Sequence, residues 1–568
     1  SATWPLHPTR RLTVAEQTTR DKLLQRWTAL KSDRSSWEAH WKEINRVLLP
    51  RSGRFYTDEA SRGGKKHNSI YDNTGTRALA TLGAGMMAGM TSPARPWFRL
   101  TTSDPSLNES AAVKQWLAEV TRLMLMVFGK SNTYRALHAG YEELGAFGTW
   151  ANVVTPSFKT IIHSHPQTVG EYAISTDHEG KADTLYREIR MTVGNIVAEF
   201  GKDKCSQTVQ NLYTSGNIYT RVNVIHAIEP RTDRDTTKRD STNMAWRSCY
   251  MEPGAETGRY LRESGFKEFP ALCPRWMTSG GDVYGSSPGM EALGDIKQLQ
   301  HEQLRKAQGI DYKTKPPLQG PTSLKNGGAD MLPGGFSYVD AAAPGGGIRT
   351  AFEVNIDLSH LLADIQDVRE RIRSSFFADL FLMLANGTNS AMTATEVAER
   401  HEEKLLMLGP VVERFGNEVL DPLVEMTFAR MLEAGIVPPP PQEMQGMELN
   451  VEYVSMLAQA QRAVATNSID RFVMNLGAIA AVKPGILDKF DEDKWADSYA
   501  DMLGVDPELI VPSDKVALIR QQRAQQAQQA QQAAQLEQSA NAAAKLASAD
   551  TSGQNALTDI TRAFSGYT

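Results

Sequence analysis

Several stretches of the sequence carry residue types that could bind a nucleotide, hold a metal or attack a substrate. Gly129-Lys130-Ser131 has the ending of a phosphate-binding loop, in which glycine amides wrap phosphate oxygens and the lysine reaches the terminal one. The first glycine of that pattern falls on Met124, inside an apolar helical stripe, so the loop is incomplete. Gly285-Ser286-Ser287-Pro288-Gly289 has the letters of a nucleophile elbow, but an elbow uses the N–H after the serine as an oxyanion donor, and Pro288 has none. Ser287 fits better as a helix N-cap, with Pro288 opening the first turn. Gly83-Ala84-Gly85-Met86-Met87-Ala88 approximates a dinucleotide fingerprint yet follows a helical stretch, where small residues serve close packing. His301-Glu302 and His401-Glu402 each open a zinc-protease motif, but Arg305 and Leu405 stand where the second imidazole is needed. The carboxylates Asp357, Asp364, Asp367 and Glu370 alternate with Arg369, Arg371 and Arg373, the composition of a solvated or intersubunit helix face. No catalytic constellation, metal set or cofactor site emerges, and the expectation is a non-enzyme.

The bulk numbers narrow the class further. At about 150 residues per domain, 568 residues make three or four folding units. Sixty-one basic against 66 acidic side chains leave a net charge of −5, so any contact with nucleic acid must be local or weak. Cys205, Cys249 and Cys273 form neither a disulfide framework nor a zinc pattern, which fits a reducing compartment. The first residues lack the apolar core of a secretory signal, and the run Ala78 to Met90 is too short to span a bilayer. A soluble, cytosolic chain is expected.

Elements follow from periodicity. Leu23, Trp27 and Leu30, then Trp37, Trp41, Ile44 and Leu48, predict two helices before Pro50. Arg51 to His67 is a basic loop, solvated or a nucleic-acid patch. Helices return at Thr74 to Met90, Ser110 to Gly129 and Tyr134 to Gly145. From about Thr149 to Arg275 short strands dominate, among them Trp150 to Val154, Leu185 to Met191 and Tyr219 to Ala227, interrupted by a helix at Val193 to Phe200. Two long helices, Gly289 to Gln308 and one from Leu358 toward Leu384, enclose a segment punctuated by Gly and Pro that has room only for short strands. A single helix over the second range would be about 40 Å long. Asn386 to Ser390 breaks it, and Thr393 to Glu396 is a capping box for the next helix. After Pro438 to Pro441, Leu457 to Val482 and Lys494 to Leu503 read as a small helical domain. The Gln/Ala tract after Ser513 is either disordered or a helix supported by copies of itself.

The string Tyr71-Asp72-Asn73-Thr74, Ser92-Pro93-Ala94-Arg95-Pro96-Trp97-Phe98, Phe147-Gly148-Thr149, Gly285 to Pro288, Met392 to Val397 and Leu408-Gly409-Pro410-Val411 resembles the portal, or head-to-tail connector, proteins of short-tailed (podovirus) bacteriophages. The resemblance covers roughly residues 35 to 525, and it rests on the order and spacing of these patterns. It implies a mainly α subunit with an α+β wing, long stem helices, a small β-containing clip and a C-terminal helical crown and barrel. On this sequence the wing would be 1–285, the stem helices 286–309 and 356–385, and the clip 310–355. A tunnel loop and further wing helices would fill 386–440. The crown would be 441–512, the barrel helix 513–547 and a flexible tail 548–568.

The same resemblance implies a ring of about twelve copies at one capsid vertex, through which double-stranded DNA is packaged and ejected. Implied partners are the ring's own copies, DNA, the major capsid protein, the terminase, tail adaptor and tail tube proteins, and internal core proteins, with no membrane. Assembly would take place in the host bacterial cytoplasm and the ring would end in the virion at the head-tail vertex. Asn386, Gly387, Thr388, Asn389, Ser390, Ala391 and Met392 would form the tunnel loop facing DNA, or else an ordinary interhelical loop. Lys313, Lys315, Leu318 and Lys325 would be clip contacts for terminase and adaptor. Twelve chains at −5 each carry about −60, which suits a channel that must pass DNA without holding it. Two rival readings stand beside this one: a hydrolase using Ser287, and a channel-less helical scaffold, which the lack of sustained heptads disfavours.

Overall fold

The structure is a computed structural model that describes residues 18–55, 64, 66–104, 107–256, 259–319, 348–350, 359–386, 407–444, 446–455, 457, 472–478, 483, 490–503, 511 and 513–547. The chain divides into two compact units, one of residues 1–103 and 115–473, the other of 104–114 and 474–568.

The first unit opens with α1 (Thr19–Val47), capped by Thr18. It is one helix of 29 residues where two were expected. The apolar stripe is interrupted after Leu30 because the next inward position is Arg34, which is buried and donates to the Tyr172 carbonyl. A polar side chain with a backbone partner carries the stripe on to Trp41 and Ile44.

Leu23, Trp27 and Leu30 pack on one face of a five-stranded antiparallel sheet, against Ala173, Tyr186, Ile225, Ala227, Cys249 and Met251. Its strands run in the order β4 (Tyr172–Thr176), β5 (Ala182–Thr192), β6 (Arg221–Pro230), β7 (Trp246–Met251) and β8 (Arg262–Phe266). The other face is covered at one end by α5 (Val193–Phe200), as expected, and by α6 (Gln207–Thr214), which the sequence reading missed. A second sheet, in the order β3-β2-β9, comprises β2 (Ala151–Ser157), β3 (Ile161–Gln167) and β9 (Ala271–Leu272).

The rest of this unit is mainly helical, with two further strand pairs. α2 (Thr74–Met90) packs against α4 (Thr133–Phe147), and α3 (Ala111–Lys130) ends at Lys130. The strand β1 (Phe98–Thr102) pairs with β12 (Leu449–Tyr453), joined also by Arg99 to Glu452 at 2.8 Å. Glycines allow close approach where the dinucleotide-like letters occur: a Cβ on Gly85 would lie 2.3 Å from Phe381, and one on Gly83 would lie 2.8 Å from Glu142. Gly129-Lys130-Ser131 is a helix end, with Ser131 Oγ donating to the Phe128 carbonyl.

Ser287 caps α7 (Pro288–Glu291), which leads into α8 (Leu293–Thr314). β10 (Leu318–Gln319) pairs antiparallel with β11 (Arg349–Thr350), the short-strand content expected of the Gly/Pro segment. The return helix is not continuous. It is split into α9 (Ser359–Ser375) and α10 (Ala378–Asn386), with Phe377 at φ +53° between them. A straight helix would keep only one face inward, whereas the bend lets both Phe376 and Phe381 be fully buried. Further on, α11 (407–415) and α12 (Asp421–Glu433) are joined by a π turn, Gly416–Leu420, whose Glu418 binds Arg275. The capping box at Thr393 to Glu396 and His401 lie outside the described residues.

In the second unit, α14 (Glu492–Leu503) and α15 (Ser513–Ala547) follow a short helix, α13 (472–478), that begins in the first unit. Arg520 holds Asp493 through two bonds of 2.6 and 2.7 Å, tying the start of α15 to α14. The Gln/Ala tract is thus helical, and it is exposed along nearly all of its described length. Among the described residues no helix is long and apolar enough to cross a membrane.

Candidate functional site

The feature most unlike an ordinary globular core is a helical arm. α8 and α9 run antiparallel: Asp295 meets Arg371 at 3.2 Å near one end, and Glu302 faces Asp364 further along. Leu293, Ile296, Leu299, Ile365, Val368 and Ile372 are the large apolar side chains buried in it.

Anchorage of the arm converges on Asp72, just ahead of α2. Its Oδ1 accepts from the Thr74 amide at 2.8 Å and from the Thr74 hydroxyl at 2.5 Å, supplying the N-terminal cap that Asn73 does not. Its Oδ2 accepts from Gln303 at 3.0 Å and from Nε and Nη2 of Arg369 at 3.1 and 2.7 Å. Gln300 reads the adjoining backbone, accepting from the Tyr71 and Asp72 amides and donating to the Asp72 carbonyl at 2.9 Å. Burial pushes the Asp72 carboxyl up, but the bonds from Thr74 and Arg369 outweigh it and hold the group below the usual carboxylate range. The arm is thereby latched from both its helices to one buried anion. Arg369, read from sequence as part of a solvated or intersubunit face, is corrected to an anchor within the chain. The sequence assigned Asp72 no role, and its partners on the arm lie 228 to 297 residues away. The local signal was the Asp-x-Thr turn before an apolar helix.

Glu302 faces Asp364 across the arm. Burial first, and then the Asp364 carboxyl, raise its pKa. Gln298 bonds it at 2.6 Å.

At the far end, Lys313 occupies the last turn of α8 and Lys315 its C-cap, both exposed, and Leu318 is exposed on β10. These three fall together at the tip of the arm. α8 itself runs to Thr314, past the expected end of the first stem helix at 309. Lys325 lies outside the described residues. Asn386 is the last residue of α10, while Gly387, Thr388, Asn389, Ser390, Ala391 and Met392 lie outside the described residues. Ser287 is fully engaged: its Oγ donates to the Ala146 carbonyl at 2.8 Å and accepts from the Met290 amide at 3.1 Å. A hydroxyl so held is a cap and presents no nucleophile.

Residues 20–511 match the family model for the bacteriophage head to tail connecting protein, and the chain belongs to that family. It is 70% identical over 555 residues to a probable portal protein of Bordetella phage BPP-1, covering 98% of this chain and all of that one. It is 44% identical over 548 residues to the portal protein of Salmonella phage epsilon15, covering 96% and 99% of the two. In function it is therefore a phage portal protein, the connector of head and tail, and a component of the virion at that junction. Among solved structures, a chain in the virion of a native gene transfer agent particle is similar at TM-score 0.35 and 10% identity, covering 82% of this chain and 98% of that one, too distant to superpose elements.

Proposed function

We propose that about twelve copies of this chain close into a ring around a channel that passes double-stranded DNA during packaging and ejection. In this reading the α+β body is the wing, α8 and α9 are the stem, β10 and β11 belong to the clip, and α15 is the barrel. The observation that carries it is the arm's uncovered apolar surface: Ile310, Tyr312, Leu318 and Leu362 are each 40–49% exposed although the arm is firmly anchored. Neighbouring copies of the arm, side by side, cover such residues. α15 supports the same reading, because a 35-residue helix whose Gln/Ala tract is exposed gains stability from packed copies that a solitary helix lacks.

Lys313, Lys315, Leu318 and Lys325 would then present the clip to the terminase first and to the tail adaptor and tail tube afterwards. The wing would meet the major capsid protein, internal core proteins would sit above, and assembly would take place in the host cytoplasm. Asn386 to Met392 would be the tunnel loop, whose uncharged Asn, Thr and Ser touch the DNA backbone without releasing counterions. The one phosphate-loop pattern in the sequence, at Gly129-Lys130-Ser131, is a helix end, so in this reading the terminase would supply the packaging energy.

Negative-stain electron microscopy with particle mass measured on the same sample tests the ring. Rings with a central hole and a mass near twelve chains are expected. A monomer or dimer under every assembly condition overturns it. Deleting Gly387 to Ser390 should leave rings intact and impair packaging or DNA retention; normal packaging removes the tunnel-loop role.

A further inference from the structure

Away from the arm, the face of the five-stranded sheet left open by α5 and α6 forms one side of a cleft of about 1050 Å³, with the β2–β3 hairpin contributing to its wall. Arg187 of β5 lies on its floor, only 5% exposed. Its Nε donates to Nδ1 of His226, its register partner on β6, at 2.9 Å. Because a guanidinium can only donate, Nδ1 must be the acceptor and the imidazole proton sits on Nε2, which donates to Ser248 Oγ at 2.9 Å. The ring is fixed further by flat stacking on Tyr250, with centroids 3.9 Å apart and planes 7° from parallel. His165 on β3 lines the same cleft and meets Thr155 Oγ1 at 3.1 Å. Burial, followed by the nearby charge of Arg187, holds both histidines down, His165 at about 4 and His226 well below its usual range. The histidines are neutral at physiological pH and Arg187 is not.

Nothing among the described residues except His226 bonds that guanidinium, so four of its five N–H bonds have no protein partner. The glutamates of the rim are engaged elsewhere: Glu38 with Arg34 at 3.6 Å, Glu199 with Arg262 at 2.6 Å, Glu188 with Asn223 at 2.7 Å and Glu171 with Arg54 at 3.9 Å. A buried cation without a counterion is strongly unfavourable unless something neutralises it. Lys31, Arg34, Arg54, Arg190 and Arg262 share the lining with these four carboxylates, a near balance of charge that leaves the Arg187 guanidinium to be matched by one small negative group.

We propose that this cleft is a binding site for a single compact oxyanion, a carboxylate or phosphate group gripped by the two-pronged fork of Arg187. Its source is either a free ion or an acidic side chain of a second polypeptide, and the two are separable. The test is thermal unfolding of the full chain titrated with inorganic phosphate and, separately, with acetate, at ionic strength held constant with chloride. The expected result is a saturable upward shift of the midpoint in the wild type, absent in Arg187→Met and at least about tenfold weaker in affinity in Arg187→Lys, which keeps the charge and loses the fork. A shift with phosphate identifies a free-ion site. A shift with acetate and not phosphate identifies a carboxylate site that a protein side chain fills. No shift with either probe, or an equal shift in Arg187→Met, overturns the proposal. If Arg187→Met fails to fold, Arg187→Lys decides, and unchanged affinity in that variant overturns it.

Discussion

The latch at Asp72 makes the sharpest prediction. Asp72→Asn preserves side-chain shape and keeps one oxygen to cap Thr74, but it replaces Oδ2 with an amide that points its own protons at Gln303 and Arg369. Two donors and a positive charge then face a donor in a site where Asp72 is 7% exposed. Removing one partner of a buried ion pair costs about 3–5 kcal/mol, and the Arg369 side chain, at 28% exposure, recovers part of that from water, so about 3 kcal/mol is expected. Chemical denaturation of wild type, Asp72→Asn, Arg369→Met and the double variant completes a cycle, in which a coupling of about 1–3 kcal/mol is expected. Amide exchange localises the effect: 293–303 and 365–372 should exchange faster in Asp72→Asn, with β5–β7 unchanged. The pH dependence has a definite sign. A carboxyl held below its usual range contributes stability above the unfolded-state pKa and loses it as pH falls through the folded-state value, so the two proteins should converge in acid. Additive single variants, or a loss under about 0.5 kcal/mol, would show that the latch is incidental.

Four other variants test other parts of the fold. Glu143 is buried beside Thr168, which donates to it at 2.7 Å, and burial above all raises its pKa from 4.5 to about 7. The wild-type contribution is therefore complete below pH 4.5 and lost as pH climbs through 7, and the stability difference from Glu143→Gln should change by about 3 kcal/mol across that window; parallel pH profiles would exclude this. Gly85→Ala should destabilise by at least about 1–3 kcal/mol because its Cβ meets Phe381 at 2.3 Å, while Gly129→Ala, with open space around it, should stabilise by about 0.5–1 kcal/mol, both read from denaturant midpoints. Truncation before Ser513 removes a helix with little buried surface, so ring assembly should persist by sedimentation; failure to assemble would make α15 structural.

What could be read in advance follows from range. Ser287-Pro288 as a helix start, α5, the strands β5 and β6, and the two arm helices all declare themselves within a turn or two of sequence, and the structure places them so. The continuity of α1 was hidden because its stripe passes through Arg34, whose carbonyl partner lies 138 residues on. The bend at Phe377 was hidden because the run from Phe376 to Leu384 is apolar at every position except Asp379, and one polar residue does not define a face to count. Of the candidate site, the sequence pointed only to Lys313, Lys315 and Leu318, which lie exposed at the far end of the arm beside the Gly/Pro segment. Its anchorage and the Arg187 cleft are assembled from strands and helices distant in sequence, whose polar residues look, one at a time, like solvent-facing positions.

The choice of a polar latch also bears on how a portal arm must behave. An apolar contact between α2, α8 and α9 would tolerate sliding, since hydrophobic surfaces are indifferent to register. Asp72 is not indifferent. A shift of one helical turn along α8 would take Gln300 off the Tyr71 and Asp72 amides and Gln303 off Oδ2, and the same shift along α9 would leave Arg369 without its carboxylate. Each unmatched group costs its full desolvation, so the penalty for a wrong register exceeds the net gain of the right one. In the proposed ring that asymmetry would matter more than absolute stability, because one arm out of register would place its tip at a different height from its neighbours and spoil any surface that the tips form together.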